Sequence, residues 1–307
     1  MIPRIAIACG DPAGIGPEVA LKAALDPRVR AVCRPVLFGS REVLLMHAKP
    51  AGLSLQGIEL FEVRQEKPEI GKIAAAHGRA IIATAEAAIR AALAGDFDAV
   101  VGAPHTEAAI HAAGIEFDGY PSFVARVAGL PPEDGILMLC FEHQGREMRI
   151  AHVTLHMSVG NALRTISKER VLRTIRAVHK FLKNPRIAIG GVNPHAGEAG
   201  AFGREEIEIV APALEQARSE GITVDGPIGA DTLFHKQGYD AFVVMFHDQG
   251  HVAAKLLAPQ RIAGLTIGTP VTFSSVAHGS ALDIAGQGRA NHAAMVEAIT
   301  RLAGMRS

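Results

Sequence analysis

The sequence lacks an excess of charge of either sign: 31 basic residues stand against 31 acidic ones over 307 positions. A chain so balanced has no field to draw it to nucleic acid or a membrane surface, and a small neutral or anionic ligand is the expected partner. Cysteine is scarce and irregular. Cys9, Cys33 and Cys140 are too few and too unevenly spaced for a disulfide framework or a CxxC metal site, and they read as reduced, buried thiols. No apolar run approaches the roughly 18 residues that argue for a membrane span. The start "MIPRIAIACGDPAG" carries too short an apolar stretch for a signal peptide, so the expected compartment is the cytoplasm. Internal repeats, low-complexity tracts and a linker are also missing. Two lobes built from an interwoven chain are therefore expected rather than autonomous domains in series.

With 49% hydrophobic and 20% charged residues, the chain can bury one large core or two medium ones. Apolar runs of strand length alternate with Ala-rich stretches of helical period: "RIAIACG", "PVLFGS", "FDAVVGAPH", "RIAIGGVNPHAG" and "DAFVVMFHDQG" are the strands. Short all-apolar strands between helices imply parallel sheets covered on both faces, with ligands at the carboxyl ends of the strands. Polar residues gather at those ends, as Gly10-Asp11-Pro12, Pro104-His105, Asn193-Pro194-His195 and His247-Asp248-Gln249.

Glycine marks two turns. In "GDPAGIGPEV" (10–19), Gly14 and Gly16 make a tight turn before Pro17 and Glu18 at a helix start. This turn is read either as an anion cradle or as an ordinary strand-to-helix turn, because it is not the GxGxxG fingerprint. In "HGSALDIAGQG" (278–288), Gly279, Gly286 and Gly288 remove side chains along one loop while Asp283 offers a carboxylate. Such backbone could lie against an adenosine, with Asp283 accepting from ribose hydroxyls; the competing reading is a glycine-rich turn capped by Asp283. Fourteen histidines are many for this length. His156, His195 and His247 each stand near a strand end, where three imidazoles can make an open divalent-metal site or serve as ordinary hydrogen-bonded residues. Asp231 and Asp248 are candidates to orient or ligate, or are helix caps. Lys255 could meet a substrate anion or simply snorkel into solvent.

"GDPAGIGPEV", "NPHAGEAGAFGREE", "GADTLF", "HDQGHVAAK" and "HGSALDIAGQG", in this order, resemble the 4-hydroxythreonine-4-phosphate dehydrogenase (PdxA) family of NAD- and metal-dependent oxidoreductases. The resemblance implies a two-lobed α/β/α fold with mostly parallel sheets, like the isocitrate and isopropylmalate dehydrogenases. Residues 1–126 and 268–307 would form the cofactor-binding lobe, and 127–267 the metal, substrate and dimerisation lobe, with the active site in the cleft. It further implies a divalent metal on His156, His195 and His247, shared across a homodimer, and NAD against Gly279, Ser280, Asp283 and Gly286. Three imidazoles favour Zn²⁺, with Mg²⁺, Mn²⁺ and Co²⁺ left open. Asp231, Asp248 and Lys255 become the catalytic candidates.

The chain departs from the B6-pathway members of this family at its substrate positions. Tyr120, Pro121 and Ser122 replace a His-Thr pair, and Gly264 and Phe273 replace an asparagine and an arginine. Losing a guanidinium fork removes a phosphate's bidentate partner, so Tyr120, Ser122 and Phe273 are expected to shape a site for a flat, partly apolar ring. "APHTEAAIHAAGIEFDGYPS", "HVTLHMSVGNALRTIS" and "VDGPIGAD" are similar to the terephthalate cis-dihydrodiol dehydrogenases. The expected reaction is oxidation of such a diol with loss of CO₂ to give a catechol acid. Oxidation of 4-phosphohydroxythreonine, with Arg261 compensating for the lost arginine, is the alternative; a non-catalytic metal- and nucleotide-binding regulator is another.

Overall fold

The structure, a computed structural model, describes residues 2–259, 261–276 and 278–305. The chain divides into two compact units, Met1–Leu130 with Thr269–Ser307, and Pro131–Gly268.

The first unit opens with β1 (Arg4–Ala8), α1 (Gly16–Leu25), α2 (Pro27–Val32), β2 (Arg34–Gly39), α3 (Arg41–Ala48) and β3 (Glu59–Glu62). It continues through α4 (Ala75–Leu93), β4 (Ala99–Gly102), α5 (Glu107–Ala112) and α6 (Tyr120–Val127). β1 pairs in parallel with both β2 and β4, and β2 with β3. Alternate residues of a strand point to opposite faces. Ala6, Ala8, Val36 and Phe38 accordingly pack with Ile81, Ala85 and Ile89 of α4, while α1 and α2 lie against β2.

The second unit begins with β5 (Ile136–His143), which turns back directly into the antiparallel β6 (Arg146–His152). There follow α7 (Val159–Thr165), α8 (Lys168–Leu182), β7 (Ile187–Gly190), α9 (Ala211–Ser219) and β8 (Val224–Ile228). The unit closes with α10 (Ala230–Leu233), β9 (Ala241–Val244), α11 (His247–Leu257) and β10 (Ala263–Ile267). Ser158 and Ser167 start α7 and α8 by accepting the amides of Asn161 and Arg170. In α8, Val171, Leu172, Ile175 and Val178 fall at helical spacing and are buried, which turns one face to the sheet. On the opposite face, Ala254 and Ala258 of the α11 region pack with Ile150, Phe242 and Val244. The strand order is β10-β5-β6-β9-β7-β8, and β6, β9, β7 and β8 run parallel.

The chain then returns to the first unit with β11 (Phe273–Val276), parallel to β4, and α12 (Ala293–Gly304), which packs against β11 and α2. Each unit is thus an α/β/α layer, mostly parallel, as the alternation of runs implies. Among the described residues no helix is long and apolar enough to cross a membrane.

Gly78 shows how tightly these layers close. An added Cβ there would lie 2.0 Å from the Ala109 carbonyl oxygen, where α4 meets α5. Alanine favours a helix over glycine by about 1 kcal/mol, yet overpacking costs about 1–3 kcal/mol. Gly78→Ala should therefore lower the free energy of urea unfolding; an unchanged or higher value would mean that α5 moves aside freely.

Candidate functional site

Parallel pairing in the second unit brings the candidate residues to one edge. His156 follows β6, His247 follows β9, His195 follows β7 and Asp231 follows β8, and these strands are neighbours in that order. The pairing of β6 with β9 continues past both strands, since Val153 and Thr154 donate their amides to the Val244 and Met245 carbonyls. The His156 and His247 rings consequently lie 5.5 Å apart, centroid to centroid. Beside them opens a cavity of about 270 Å³ lined by Leu155, Met157, Val159 and Phe246 as well as the two histidines.

His247 is held by its neighbour. Its Nδ1 is 2.7 Å from Asp248 Oδ1, so the Nδ1 hydrogen goes to the carboxylate and Nε2 is the atom left to face a ligand. The same hydrogen bond holds the Asp248 carboxyl below its ordinary range. His251, one helical turn on, stacks on His247 at 3.8 Å and 8° and donates Nδ1–H to the His247 carbonyl. Lys255 is exposed one further turn along α11, so His247, His251 and Lys255 share one stripe of the helix. His152 lies behind His251, with ring centroids 4.9 Å apart. Gly250 makes room for it: a Cβ there would sit 2.3 Å from His152 Nε2.

His195 sits in an unusual turn. His195, Ala196, Gly197, Glu198 and Ala199 all have positive φ, between 42° and 78°. For the four that are not glycine, left-handed backbone costs about 1–2 kcal/mol each. Gly229 touches both His195 and Asp231: a Cβ on it would lie 3.5 Å from His195 Cα and 2.8 Å from Asp231 Oδ1. The donor chemistry of His156, His195 and His247 fits a divalent ion, and the Asp248-held Nε2 of His247 is arranged as a metal ligand requires. Among the described residues no three histidine, cysteine or carboxylate side chains converge into a ligand set. The edge collects His156, His247 and Asp248, and separately His195 and Asp231. Sequence reasoning missed His251, although its spacing of four from His247 in "HDQGH" was a usable signal. It gave no role to Gln249, placed at a strand end, or to Glu206, which lies inside a quoted motif.

In the first unit, the "GDPAG" turn is not an open anion cradle. Asp11, 1% exposed, fills it with its own carboxylate, which accepts from the Ala13 amide and the Thr106 hydroxyl. The Gly14 amide goes to the Asp11 carbonyl, and the Ile15 amide donates to Ser280 O at 2.8 Å. The turn thereby anchors the 278–288 loop. Glu18 and Lys22 anchor it a second time: buried Glu18 accepts from the Ala290 amide and from Lys22, whose ammonium also reaches the Gly288 and Ala290 carbonyls. Two of the loop glycines serve the chain itself. Gly288 abuts the Pro50 carbonyl and Gly286 abuts Ile70. Gly279 is exposed, and a Cβ on it would meet nothing within 4 Å. Asp283 is also exposed, and the buried Ser280 Oγ has no hydrogen-bond partner among the described residues.

Phe273 and Tyr120 correct the expectation that they shape a site for a flat, partly apolar ring. Phe273 is 0% exposed and Tyr120 3%; their rings pack 4.4 Å apart in the core, against Gly102. Gly264 is likewise buried, within β10. Both positions lie in strands covered on two faces, which an ungapped count along the sequence cannot reveal. The Tyr120 hydroxyl is buried with no hydrogen-bond partner among the described residues, and burial pushes its pKa above the usual value. Ser122 Oγ is occupied locally, donating to Asp118 and lying 3.1 Å from the Gly119 carbonyl.

Doubly covered parallel sheets with polar chemistry at the strand ends define an α/β protein built to hold a small ligand. Within that class, the family profile described as Pyridoxal phosphate biosynthetic protein PdxA matches residues 31–302, and the chain belongs to this family. It is 42% identical, over 97% of its length and 96% of the relative's, to the 1,2-dihydroxy-3,5-cyclohexadiene-1,4-dicarboxylate dehydrogenase of a Comamonas species. A terephthalate 1,2-cis-dihydrodiol dehydrogenase from Burkholderia xenovorans has TM-score 0.72 and 42% identity, covering 98% of this chain and 97% of that one. A 4-hydroxythreonine-4-phosphate dehydrogenase from Klebsiella pneumoniae has TM-score 0.85 and 31% identity, covering 100% and 98%.

The buried histidines make stability depend on pH. Burial, then the neighbouring His251, pushes His152 from 6.5 down to about 3. The folded-state value lies below the unfolded one, so the unfolded chain takes up the proton first. The contribution of His152 is full above pH 6.5 and drains away as pH falls toward about 3. His152→Leu should flatten the fall in unfolding free energy between pH 7 and 4, as followed by urea titration at about one-unit steps. Parallel curves for the two proteins would contradict this.

Proposed function

We propose that the chain is an NAD- and divalent-metal-dependent dehydrogenase. Its substrate is a terephthalate-type cis-dihydrodiol carboxylate, and its product is a catechol acid. The observation that carries the reading is the 42% identity, over nearly the whole of both chains, to a dehydrogenase named for such a diol dicarboxylate.

The chemistry balances with NAD⁺ as the two-electron oxidant. A secondary alcohol next to the carboxylate-bearing carbon loses its hydroxyl proton and a hydride, giving a β-keto acid. Carbon–carbon cleavage then releases CO₂, and the retained electron pair closes an aromatic ring. When bound, the metal supplies positive charge beside the oxygen that gives up its proton, and NAD takes the hydride.

The chain's own residues have separate tasks. His156, His195 and His247 would hold the metal, with Asp248 orienting His247. Asp231 is an exposed carboxylate at the end of β8, suited to take up the hydroxyl proton, and Lys255 is an exposed cation suited to a substrate carboxylate. Gly279 leaves space for close approach of NAD, Ser280 offers an unused hydroxyl, and exposed Asp283 can accept from ribose. Gly286 helps to set the loop's course. The family resemblance supports a homodimer in which ligands are shared across the interface.

The higher TM-score, 0.85, to a 4-hydroxythreonine-4-phosphate dehydrogenase favours that reaction as the second reading. Absorbance at 340 nm separates the two. The metal-loaded protein should reduce NAD with the terephthalate diol and release CO₂ in equal amount; reduction with 4-phosphohydroxythreonine alone would overturn the proposal. His195→Ala should abolish turnover and bound metal while leaving far-UV circular dichroism unchanged. Asp248→Asn should weaken metal binding about 10–100-fold, as loss of a ligand's carboxylate partner typically does.

A further inference from the structure

Gln249 and Glu206 have no part in the chemistry above, yet both are bonded to the turns that carry the histidines. Gln249 Oε1 accepts the Met245 amide at 2.9 Å and the Phe246 amide at 3.0 Å, which fixes the turn leading into His247. The Nε2 of the same side chain donates at 3.1 Å to the Gly191 carbonyl, at the end of the neighbouring strand β7. One amide group therefore joins the His247 turn to the turn that leads to His195.

Glu206 completes the link from the other side. It is 3% exposed, and among the described residues no lysine or arginine pairs with it. Its charge is met by three N–H groups: Oε1 accepts the Val192 and Asn193 amides, both at 2.7 Å, and Oε2 accepts Asn193 Nδ2 at 2.9 Å. The left-handed turn wraps this carboxylate so closely that a Cβ on Gly197 would lie 2.6 Å from Oε2, and one on Gly191 3.1 Å from Oε1. Glu206 also opens a π-helical turn, Glu206–Val210, a rare form that recurs at functional sites. A buried carboxylate without a counter-ion, set between two irregular backbones, is expensive to keep.

We propose that Gln249 is a positioning residue which, with Glu206 behind it, holds the His195 and His247 turns in fixed register, so that two metal-ligating rings are placed together. This rests on the reading of His195 and His247 as metal ligands. It also accounts for the glutamine of "HDQG" and the second glutamate of "GREE", which the reaction does not use.

Co²⁺ titration of the full chain tests it, read by visible d–d absorption and calorimetry. Gln249→Glu keeps an oxygen for the Met245 and Phe246 amides but sets a second oxygen, not an N–H, against the Gly191 carbonyl. It should bind Co²⁺ about 10-fold more weakly or worse, with an altered d–d spectrum, while remaining folded by circular dichroism. Gly78→Ala, destabilised in the other unit, is the control and should bind as the unmutated chain does. Should Gln249→Glu not fold, Glu206→Gln carries the same test, because it turns a donor toward Asn193 Nδ2. Loss of Co²⁺ binding in His247→Ala with unchanged affinity and spectrum in Gln249→Glu overturns the clamp and leaves the metal reading standing. Unchanged binding in His247→Ala overturns the metal reading, and the clamp falls with it.

Discussion

Parallel pairing aligns the carboxyl ends of neighbouring strands about 4.8 Å apart, and in the second unit everything of chemical interest hangs from that edge. β6, β9, β7 and β8 deliver His156, His247, His195 and Asp231 to one edge, although these residues are far apart in the sequence. β7 and β9 are apolar and fully buried, so their polar neighbours stand at the ends, whereas β6 and the edge strand β8 also carry charged residues within the strand. The order of the residues along the edge is therefore a consequence of strand order. His247 lies between His156 and His195 because β9 is inserted between β6 and β7.

The same economy governs the glycine-rich segments. An amide at a turn can serve a ligand only if the chain has not already used it. In the "GDPAG" turn the Ala13, Gly14 and Ile15 amides are committed, to Asp11 and to Ser280. This turn is a support for the 278–288 loop. Within that loop Gly286 and Gly288 allow chain to pack on chain, and Gly279 faces open space. Glycines that look alike in a motif thus separate into two kinds once their neighbours are known.

A large share of the fold was legible. Alternating apolar runs mark the parallel strands, since burial on both faces leaves no polar alternation, and the helices between them follow from their spacing. The strand-end histidines were legible for the same reason. Phe273 was not: a substitution in a strand looks identical whether its side chain meets a ligand or another ring, and here the Tyr120 ring is 4.4 Å away. Glu206 and Gln249 were not, because each bonds to backbone on a different element, and backbone groups leave no trace in residue identity.

The sequence by itself determined the layered α/β architecture, the zero net charge and the set of residues able to do chemistry, because composition and periodicity are local properties. Only the tertiary structure decided which of those residues meet. It joined His247 to Asp248, His251 and His156, and moved Tyr120 and Phe273 into the core. It also committed the Asp11 turn to the chain's own loop. Contacts between distant segments depend on strand order and on which hydrogen-bonding groups remain unused, and neither is written in a residue's immediate neighbours.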